Sequence, residues 1–240
     1  MSKQFFTADF HLWHKKILVL ADRRFSDIEA HNQIIQDNIN RVVRKDDHLT
    51  ILGDLAMGPA TRLSQWLDGI KTKNLNLVWG NHDDTAQTLV KRQPGRFKRV
   101  GDILTIKAHL PGRPDPVSVV CCHYAMRVWN KSHYGTYHVY GHSHGSLPDD
   151  LKTRSMDVGV DTNNYCPWEL IDIVSRLDKR NYVPVDHHKG VDALPGEAAC
   201  GLCLVSKMNH KPVTLNCPVS VENGDLTYHQ TQYFAPRRVL

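Results

Sequence analysis

Five short stretches of the chain carry side chains of the types that ligate metal ions. They are Asp9-Phe10-His11, Gly53-Asp54, Gly80-Asn81-His82-Asp83, His123 and Gly141-His142-Ser143-His144. The candidate ligands within them are carboxylate, imidazole and amide groups, namely Asp9, His11, Asp54, Asn81, His123, His142 and His144. Taken singly, each is equally an ordinary surface or turn residue. Taken together, they form a set of nitrogen and oxygen ligands without a thiolate, which suits manganese, iron or zinc.

The number of candidates indicates how many ions they would hold. A structural zinc ion takes four ligands, and seven are available here. Two ions about 3.5–4 Å apart that share a bridging carboxylate would use the whole set. The sequence therefore predicts a dinuclear site, provided that the fold brings the five stretches together.

The elements that must position these residues can be predicted from the pattern of apolar residues. Strands are predicted at 3–8, 48–52, 75–79, 117–122 and 137–140, each followed by one of the five stretches, with two more at 101–107 and 156–161. Helices are predicted at about 31–43, 63–70 and 84–92. Because parallel strands end at the same edge of a sheet, they would deliver the ligands to one place. The alternation of strands and helices predicts an α/β protein.

The turn Gly80-Asn81-His82-Asp83 adds groups that could act on a substrate. Histidine is the side chain best suited to proton transfer near neutral pH, so His82 could donate a proton to a leaving group. Asp83 could orient the His82 ring, or it could cap the helix that begins after it. We expect both residues to be catalytic, and the sequence leaves the two roles of Asp83 open.

Composition narrows the class of protein. The chain has 240 residues, is 41% hydrophobic and carries a net charge of +5, which suits one sizeable domain with a small appendage. No apolar run approaches the roughly 20 residues of a membrane-spanning helix, and the first residues do not resemble a signal peptide. We therefore expect a cytoplasmic protein without a membrane partner, whose six cysteines are reduced.

The chain changes character after about residue 177. We predict a catalytic domain over 1–177 and an extension of unknown role over 178–240. Strand-like runs at 219–222 and 225–228 flank Asn223-Gly224, which is typical of a β-hairpin. The extension also carries a loose set of zinc-ligand types: Cys200, Cys203, His210 and Cys217. It could pack on the domain, cover the site or bind a partner.

The five ligand-bearing stretches, in their order along the chain, resemble the signature blocks of the calcineurin-like metallophosphoesterase superfamily. The resemblance covers roughly residues 3–175. A narrower resemblance, to a group of small bacterial and phage predicted phosphoesterases, rests on His14, on Asp157-Val158-Gly159-Val160-Asp161 and on Pro167-Trp168. The superfamily resemblance implies a four-layer α/β/β/α sandwich of two mixed sheets, here with a small β-rich C-terminal extension.

The resemblance also implies a role for each candidate residue. One ion would be held by Asp9, His11 and His144, Asp54 would bridge, and the second ion would be held by Asn81, His123 and His142. His82 would lie near the substrate phosphate without ligating a metal. The first candidate for contacting the phosphate is Arg127, four residues after His123, and His14 and Lys15 come next. Each could instead be a solvated surface residue, which is the favoured interpretation for Lys15.

The expected function is that of a dinuclear metal-dependent phosphoesterase, a hydrolase acting on a phosphomonoester or phosphodiester of a small molecule or nucleotide. Manganese is the expected metal, with iron, zinc or nickel as alternatives. A nuclease using the same ions would need a long basic groove, whereas the basic residues here are spread along the chain. A phosphoprotein phosphatase would carry longer motifs that this chain lacks. A non-catalytic interaction module on the same fold is a further alternative.

Overall fold

The computed structural model describes residues 2–185, 217–222 and 225–229. The chain divides into two units, Met1–His187 and His188–Leu240. The first unit contains all seven residues of the predicted dinuclear site. It extends ten residues beyond the predicted boundary at 177, and Asp178 and Arg180 contact its second sheet, for example through Tyr137 and the Ser155 carbonyl.

The first unit contains two mixed β-sheets. The five-stranded sheet has the order β4-β3-β2-β1-β9, formed by Arg99–Gly101, Asn74–Val78, His48–Ile51, Gln4–Thr7 and Trp168–Glu169. Its strands are parallel except β9, which is antiparallel to β1. The four-stranded sheet has the order β5-β6-β7-β8, formed by Ile103–Ala108, Val117–Cys122, Tyr137–Tyr140 and Ser155–Asp157. Here β5 is antiparallel to β6 and the other pairs are parallel. The α/β class predicted from the sequence is confirmed.

Five α-helices lie among the described residues: α1 Ile17–Leu20, α2 Ile28–Val42, α3 Ala60–Asp68, α4 Asp84–Arg92 and α5 Leu170–Leu177. Helix α2 begins three residues before the predicted start because Asp27 caps it, accepting hydrogen bonds from the backbone N–H groups of Glu29 and Ala30. Helix α4 has the predicted bounds. No helix among the described residues is long and apolar enough to cross a membrane.

The two faces of the five-stranded sheet bury different partners. On one face, Leu49 and Leu77 pack with α2, α3 and α4 through Ile35, Leu63 and Leu89. The opposite face packs against the four-stranded sheet in a cluster formed by Phe6, Leu52, Val78, Val119, Val139 and Met156, which α5 also joins. Because both faces are covered, polar residues of these strands are buried as well, and Asn76 Nδ2 donates to Thr50 Oγ1 at 3.1 Å between β3 and β2.

Two strand predictions were wrong in their extent. The predicted strand 101–107 is two strands, since β4 ends at Gly101 in one sheet and β5 begins at Ile103 in the other. Asp102 is where the chain crosses, and a continuous β-favouring pattern does not show such a crossing. The predicted strand 156–161 ends at Asp157, because the Asp157 carboxylate accepts a hydrogen bond from Gly159 N at 2.7 Å and turns the chain.

Of the second unit, the described residues form one antiparallel pair of strands, β10 Cys217–Glu222 and β11 Asp225–His229, in which Glu222 lies opposite Asp225. This pairing agrees with the predicted hairpin. Its turn residues, Asn223 and Gly224, lie outside the described residues, as do three of the zinc-ligand types, Cys200, Cys203 and His210. The loose zinc-site prediction therefore stays a prediction.

Candidate metal centre

The loops that follow β1 and β2 stay paired beyond the ends of the strands. Asp9 N donates to the Gly53 carbonyl at 3.1 Å, and His11 N donates to the Asp54 carbonyl at 2.8 Å. The loop after β7 joins them, because His142 N donates to the two carboxylate oxygens of Asp9 at 3.0 and 2.9 Å. Ligand-bearing loops from both sheets therefore meet at the carboxyl ends of their strands.

Five of the seven candidate ligands have a left-handed backbone. Their φ angles are 60° at Asp9, 48° at His11, 55° at Asp54, 64° at His142 and 47° at His144. A residue with a Cβ in this region costs of order 1–3 kcal/mol and persists only where the surrounding structure imposes it. Such conformations concentrate at functional sites. Because these conformations fall on the candidate ligands, we infer that the loops hold these side chains in one specific arrangement.

Glycines at two positions allow the loops to approach closely. A Cβ on Gly80 would overlap the Asp54 carboxylate, and a Cβ on Gly141 would lie 2.7 Å from Asp9 Oδ2. Both contacts are too short for a carbon atom. The glycine at each position is thus required for the carboxylates to lie where they do.

Two groups of three residues have the geometry to hold a metal ion. They are Asp9, His11 and His144, and Asp9, Asp54 and His123. In each group, one ligand atom per residue lies within 4.8 Å of the others. Asp9 belongs to both groups. Asp54, a member of the second group, also approaches the first. Its Oδ2 is 3.4 Å from His11 Nε2 and 3.7 Å from His123 Nε2.

The remaining two candidates complete the cluster. Asn81 Oδ1 is 3.0 Å from His123 Nε2 and 3.0 Å from His142 Nδ1. The rings of His123 and His142 are 5.1 Å apart, and those of His11 and His144 are 5.2 Å apart. The fold therefore brings all seven predicted ligand candidates together, from five loops and two sheets.

The electrostatics of the cluster favour a bound cation. Burial, followed by the charges of Asp157, Asp54 and Asp161, raises the pKa of Asp9 well above its usual range, despite the hydrogen bond from His142 N. Burial, followed by the charges of His144 and Arg23, lowers the pKa of His11 to about 2. His11 is therefore neutral, with a lone pair available for a metal.

One buried nitrogen of the cluster is left without a hydrogen bond by the described residues. His11 Nε2 is buried and has no hydrogen-bond partner among the described residues. Leaving a buried polar atom unpaired costs about 1–3 kcal/mol. A divalent cation at this place would pair with His11 Nε2 and would offset the crowded carboxylates, so the residues present fit a metal ion.

Asp83 has a role that neither sequence interpretation anticipated. Its carboxylate accepts hydrogen bonds from Asp54 N at 3.0 Å, Leu55 N at 2.8 Å and Gly80 N at 2.7 Å. It makes no side-chain capping hydrogen bond to α4. These contacts fasten the loop of Asp54 to the loop of Gly80, and burial raises the pKa of Asp83. The contacts described for its carboxylate therefore go to the backbone, not to the His82 ring.

Sequence reasoning missed Arg23 and Asp161 as site residues. Arg23 is 2% exposed and forms a bidentate ion pair with Asp161, whose Oδ2 lies 2.7 Å from His144 Nδ1. Burial acts to raise the pKa of Asp161, but the hydrogen bonds from His144 and Arg23 hold it below its usual value. Asp161 was noticed only as part of the 157–161 stretch, and nothing in the pattern distinguishes Arg23 from an exposed arginine.

A cavity of about 210 Å³ opens onto the cluster. Two histidines outside the ligand set line it. His82 N donates to Asp54 Oδ1 at 2.8 Å, and the His82 ring is 5.7 Å from the His11 ring. His14 Nδ1 is 3.3 Å from His11 Nδ1, and burial followed by the charge of His82 lowers the pKa of His14. An apolar wall completes the lining: Ile17, Leu20 and Ala21.

The other proposed phosphate contacts lie on the surface. Arg127 is exposed on the segment after β6, and Lys15 is exposed before α1. Neither lines the cavity. An aromatic residue beside the cluster is Tyr124, which is 47% exposed and whose ring is 5.0 Å from that of His123 and 4.8 Å from that of His142.

Comparisons with known proteins find relatives of similar length but no named activity. No family model matches the chain. It is 27% identical over 193 residues to an uncharacterized protein of Methanocaldococcus jannaschii, covering 76% of this chain and 96% of that protein. It is 26% identical over 211 residues to the gene 66 protein of Mycobacterium phage L5, covering 76% and 99%.

One solved structure shares the fold. It is a protein of unknown function from Aquifex aeolicus, with a TM-score of 0.56 and 20% sequence identity, covering 73% of this chain and all of that one. At this identity the similarity concerns the fold alone. It supports the mixed α/β architecture of the first unit.

Proposed function

We propose that this protein is a dinuclear metal-dependent phosphoesterase that hydrolyses a phosphomonoester or phosphodiester of a small molecule or nucleotide, as the resemblance to the calcineurin-like metallophosphoesterases implies. The observation that carries the proposal is the pair of three-residue groups that share Asp9, beside a buried His11 Nε2 that has no hydrogen-bond partner among the described residues. Two ions, with manganese expected, would be held by the seven ligand candidates.

The proposal includes the finer fold, a four-layer sandwich. Three layers are supported by the packing of α2, α3 and α4 on one face of the five-stranded sheet and of the four-stranded sheet on the other. On the outer face of the four-stranded sheet, His138 packs against Trp129 from the segment between β6 and β7. A fourth, helical layer stays a prediction.

When bound, the ions would lower the pKa of a coordinated water and neutralise phosphate charge. The chain supplies the rest. His82 lines the cavity and is the group that would protonate a leaving alkoxide. Asp83 keeps the backbone of the Gly80 turn against that of Asp54, which sets the place from which His82 acts. His14 is the remaining lining histidine and the candidate phosphate contact.

Hydrolysis by the Mn²⁺-loaded full-length chain tests the proposal. The substrates are bis(p-nitrophenyl) phosphate, p-nitrophenyl phosphate, cyclic nucleotides, and single- and double-stranded DNA. We expect ester hydrolysis that Asp54→Ala abolishes together with metal binding, because Asp54 lies between the two groups. A chain that binds two ions and hydrolyses none of these esters would refute the function, and a strong preference for DNA would favour the nuclease alternative.

The role of His82 is tested by the choice of leaving group. His82→Ala should retain both ions and lose about 10²–10⁴-fold in turnover of an alkyl ester, whose alkoxide needs a proton. The loss should be much smaller on p-nitrophenyl esters, because p-nitrophenolate leaves without protonation. His109→Ala is the matched control, since His109 is exposed and does not line the cavity. Equal turnover of the alkyl ester by His82→Ala and wild type would exclude the proton-donor role.

A further inference from the structure

Arg23 and Asp161 form an ion pair that the proposed hydrolysis does not itself use. Arg23 Nε donates to Asp161 Oδ1 at 2.8 Å, and Nη2 donates to Oδ2 at 2.7 Å. This bidentate geometry is the strongest arginine–carboxylate contact. The side chain of Arg23 is fully buried and that of Asp161 is 9% exposed. Burying a charge pair costs desolvation free energy, and removing one partner leaves the other as an unpaired buried charge.

The guanidinium of Arg23 uses all five of its N–H groups. Besides the two bonds to Asp161, Nη1 donates to the Phe10 carbonyl at 3.1 Å and to His31 Nε2 at 2.9 Å, and Nη2 donates to the Asp9 carbonyl at 2.8 Å. Asp9 and Phe10 belong to the ligand-bearing loop after β1. Arg23 therefore fastens Asp161 to that loop.

The contact between Asp161 and His144 fixes the state of the His144 ring. Asp161 Oδ2 is 2.7 Å from His144 Nδ1. Arg23 Nη2 is 3.3 Å from the same atom, but the N–H groups of Arg23 already have acceptors and a guanidinium cannot accept a hydrogen bond. Nδ1 therefore carries the proton and donates it to Asp161. In this tautomer the lone pair is on Nε2, the nitrogen that can bind a metal.

We propose that Arg23 and Asp161 are positioning residues of the metal centre. They hold His144 in the Nδ1–H tautomer and join it to the loop of Asp9, so that the position formed by Asp9, His11 and His144 is organised before an ion binds. The inference rests on the metal centre of the proposed function, but not on phosphoester hydrolysis. It assigns the network to one ion of the two, because His123 in the other group is held differently, by a contact of its Nδ1 with the Leu52 carbonyl at 2.7 Å.

Counting Mn²⁺ bound to the full-length chain tests the assignment. Asp161→Ala should lower the affinity for one of the two ions by about 10- to 100-fold, which is the usual effect of removing a group that orients a metal-binding histidine. The other ion should be retained. Asp161→Asn keeps an acceptor for Nδ1–H and should show a smaller loss. Asp161→Asn can also replace Asp161→Ala in this test if the alanine variant does not fold because the buried Arg23 has lost its carboxylate partner.

The tautomer provides a readout that a merely structural role would not change. In the metal-free wild type, ¹⁵N NMR of the imidazole should show His144 protonated at Nδ1, with the signal assigned by its loss in His144→Gln. In Asp161→Ala the Nε2–H tautomer should become populated. In Asp161→Asn the Nδ1–H tautomer should persist.

A buried carboxylate elsewhere in the first unit is the matched control. Asp47 accepts hydrogen bonds from Lys3 N at 2.8 Å and Arg44 N at 2.9 Å, at the amino ends of β1 and β2. Asp47→Asn should lower the melting temperature and leave both ions and the His144 tautomer unchanged. Wild-type affinity for both ions in Asp161→Ala, or an equal loss of both, would overturn the inference.

The outcomes for this inference and for the proposed function differ. A wild type that binds two ions without hydrolysing esters refutes the phosphoesterase while the Asp161 variants still test the network. A wild type that hydrolyses esters while Asp161→Ala keeps two ions refutes the network alone. A wild type that binds no divalent ion overturns both.

Discussion

His11 in the metal centre and His138 in the outer face of the four-stranded sheet are both buried, and both are held neutral. Burial is the main cause in each case, lowering the pKa of His11 to about 2 and that of His138 to about 4. They differ in their partners. His138 has both nitrogens occupied, with Nδ1 at 2.9 Å from the Val120 carbonyl and Nε2 accepting from Met126 N at 3.1 Å.

The difference separates a structural histidine from a ligand. His138 forms hydrogen bonds with Val120 in β6 and with Met126 in the segment between β6 and β7, and its burial stabilises the fold. His11 is buried, its backbone is left-handed, and its Nε2 has no hydrogen-bond partner in the part of the chain that the structure describes. Its burial therefore costs stability in the absence of an ion. Burial and pKa alone would not distinguish the two residues, whereas the accounting of hydrogen bonds does.

The largest expected effect tests this distinction directly. His11→Asn should lower the affinity for one Mn²⁺ ion by at least about 100-fold, because removing a direct ligand has a larger effect than removing a residue that only orients a ligand. It should change the stability of the metal-free chain little. His138→Asn should do the reverse, keeping both ions and lowering stability. Metal titration and urea unfolding in EDTA measure both. Metal loss in His138→Asn would contradict the comparison.

Asp83 extends the comparison to a buried acid beside the ligands. Asp83→Ala leaves three backbone N–H groups of the Asp54 and Gly80 loops without their acceptor. We expect a loss of at least about 2 kcal/mol in the free energy of unfolding of the metal-free chain, since each unsatisfied buried group costs about 1–3 kcal/mol. Urea unfolding provides the measurement. Unchanged stability combined with lost turnover would instead favour a direct catalytic role.

The pH dependence of stability sharpens the comparison further. A histidine with a lowered pKa in the folded state binds its proton only in the unfolded state between pH 6.5 and about 4, so stability falls as the pH falls through this range. His138→Gln should flatten that fall by up to about 1.4 kcal/mol per pH unit. Comparing the two chains by urea unfolding at pH 7.5, 6 and 5 cancels the opposite contributions of Asp9 and Asp83, whose pKa values are raised. An identical slope in both chains would contradict the structural role of His138.

Saturating Mn²⁺ separates the metal centre from His138 in the same experiment. The raised pKa of Asp9 favours its protonated form, and an ion held by its carboxylate would displace that proton, so Mn²⁺ should add to the pH dependence of the wild type. The difference in slope between wild type and His138→Gln should stay the same, because none of the contacts described for His138 goes to a candidate ligand. A change in that difference would show that the two regions are coupled.

The smallest effect is expected at the rim of the cavity. Leu20 lines the cavity, whereas its neighbour Val19 does not, and both are exposed, at 73% and 85%. Leu20→Ala should raise the KM for an ester with an apolar alkyl group by roughly four- to fifteenfold, since it removes one or two of the ~0.8 kcal/mol increments of a buried CH₂. Val19→Ala should leave it unchanged. Equal effects of the two variants would mean that the wall does not touch the substrate.

The sequence was sufficient for the parts of the fold and site that depend on local pattern. Strand periodicity placed Asp9, Asp54 and His123 just after strands, and the spacing of Asp9 and His11 put both at one strand end. Helix α5 had a usable signal that the sequence analysis did not take up, since Leu170, Ile173, Val174 and Leu177 have helical spacing and are buried.

The parts that escaped the sequence depend on contacts between distant residues. Arg23 and Asp161 are charged, and charged residues are exposed unless a partner is buried with them, which only the fold reveals. The crossing at Asp102 joins strands of two sheets, and β propensity does not say to which sheet a strand belongs. Asp83 next to His82 suggested a catalytic pair, but its carboxylate turns to the backbone of another loop.

The hydrogen bond from His142 N to the Asp9 carboxylate spans 133 residues. It has a consequence for the order in which the protein can mature. At a synthesis rate of about 5–20 residues per second, the first ligand emerges on the order of ten seconds before the loop that completes its surroundings. The nascent chain therefore has no assembled site with which to capture metal, and loading waits until the two sheets have docked.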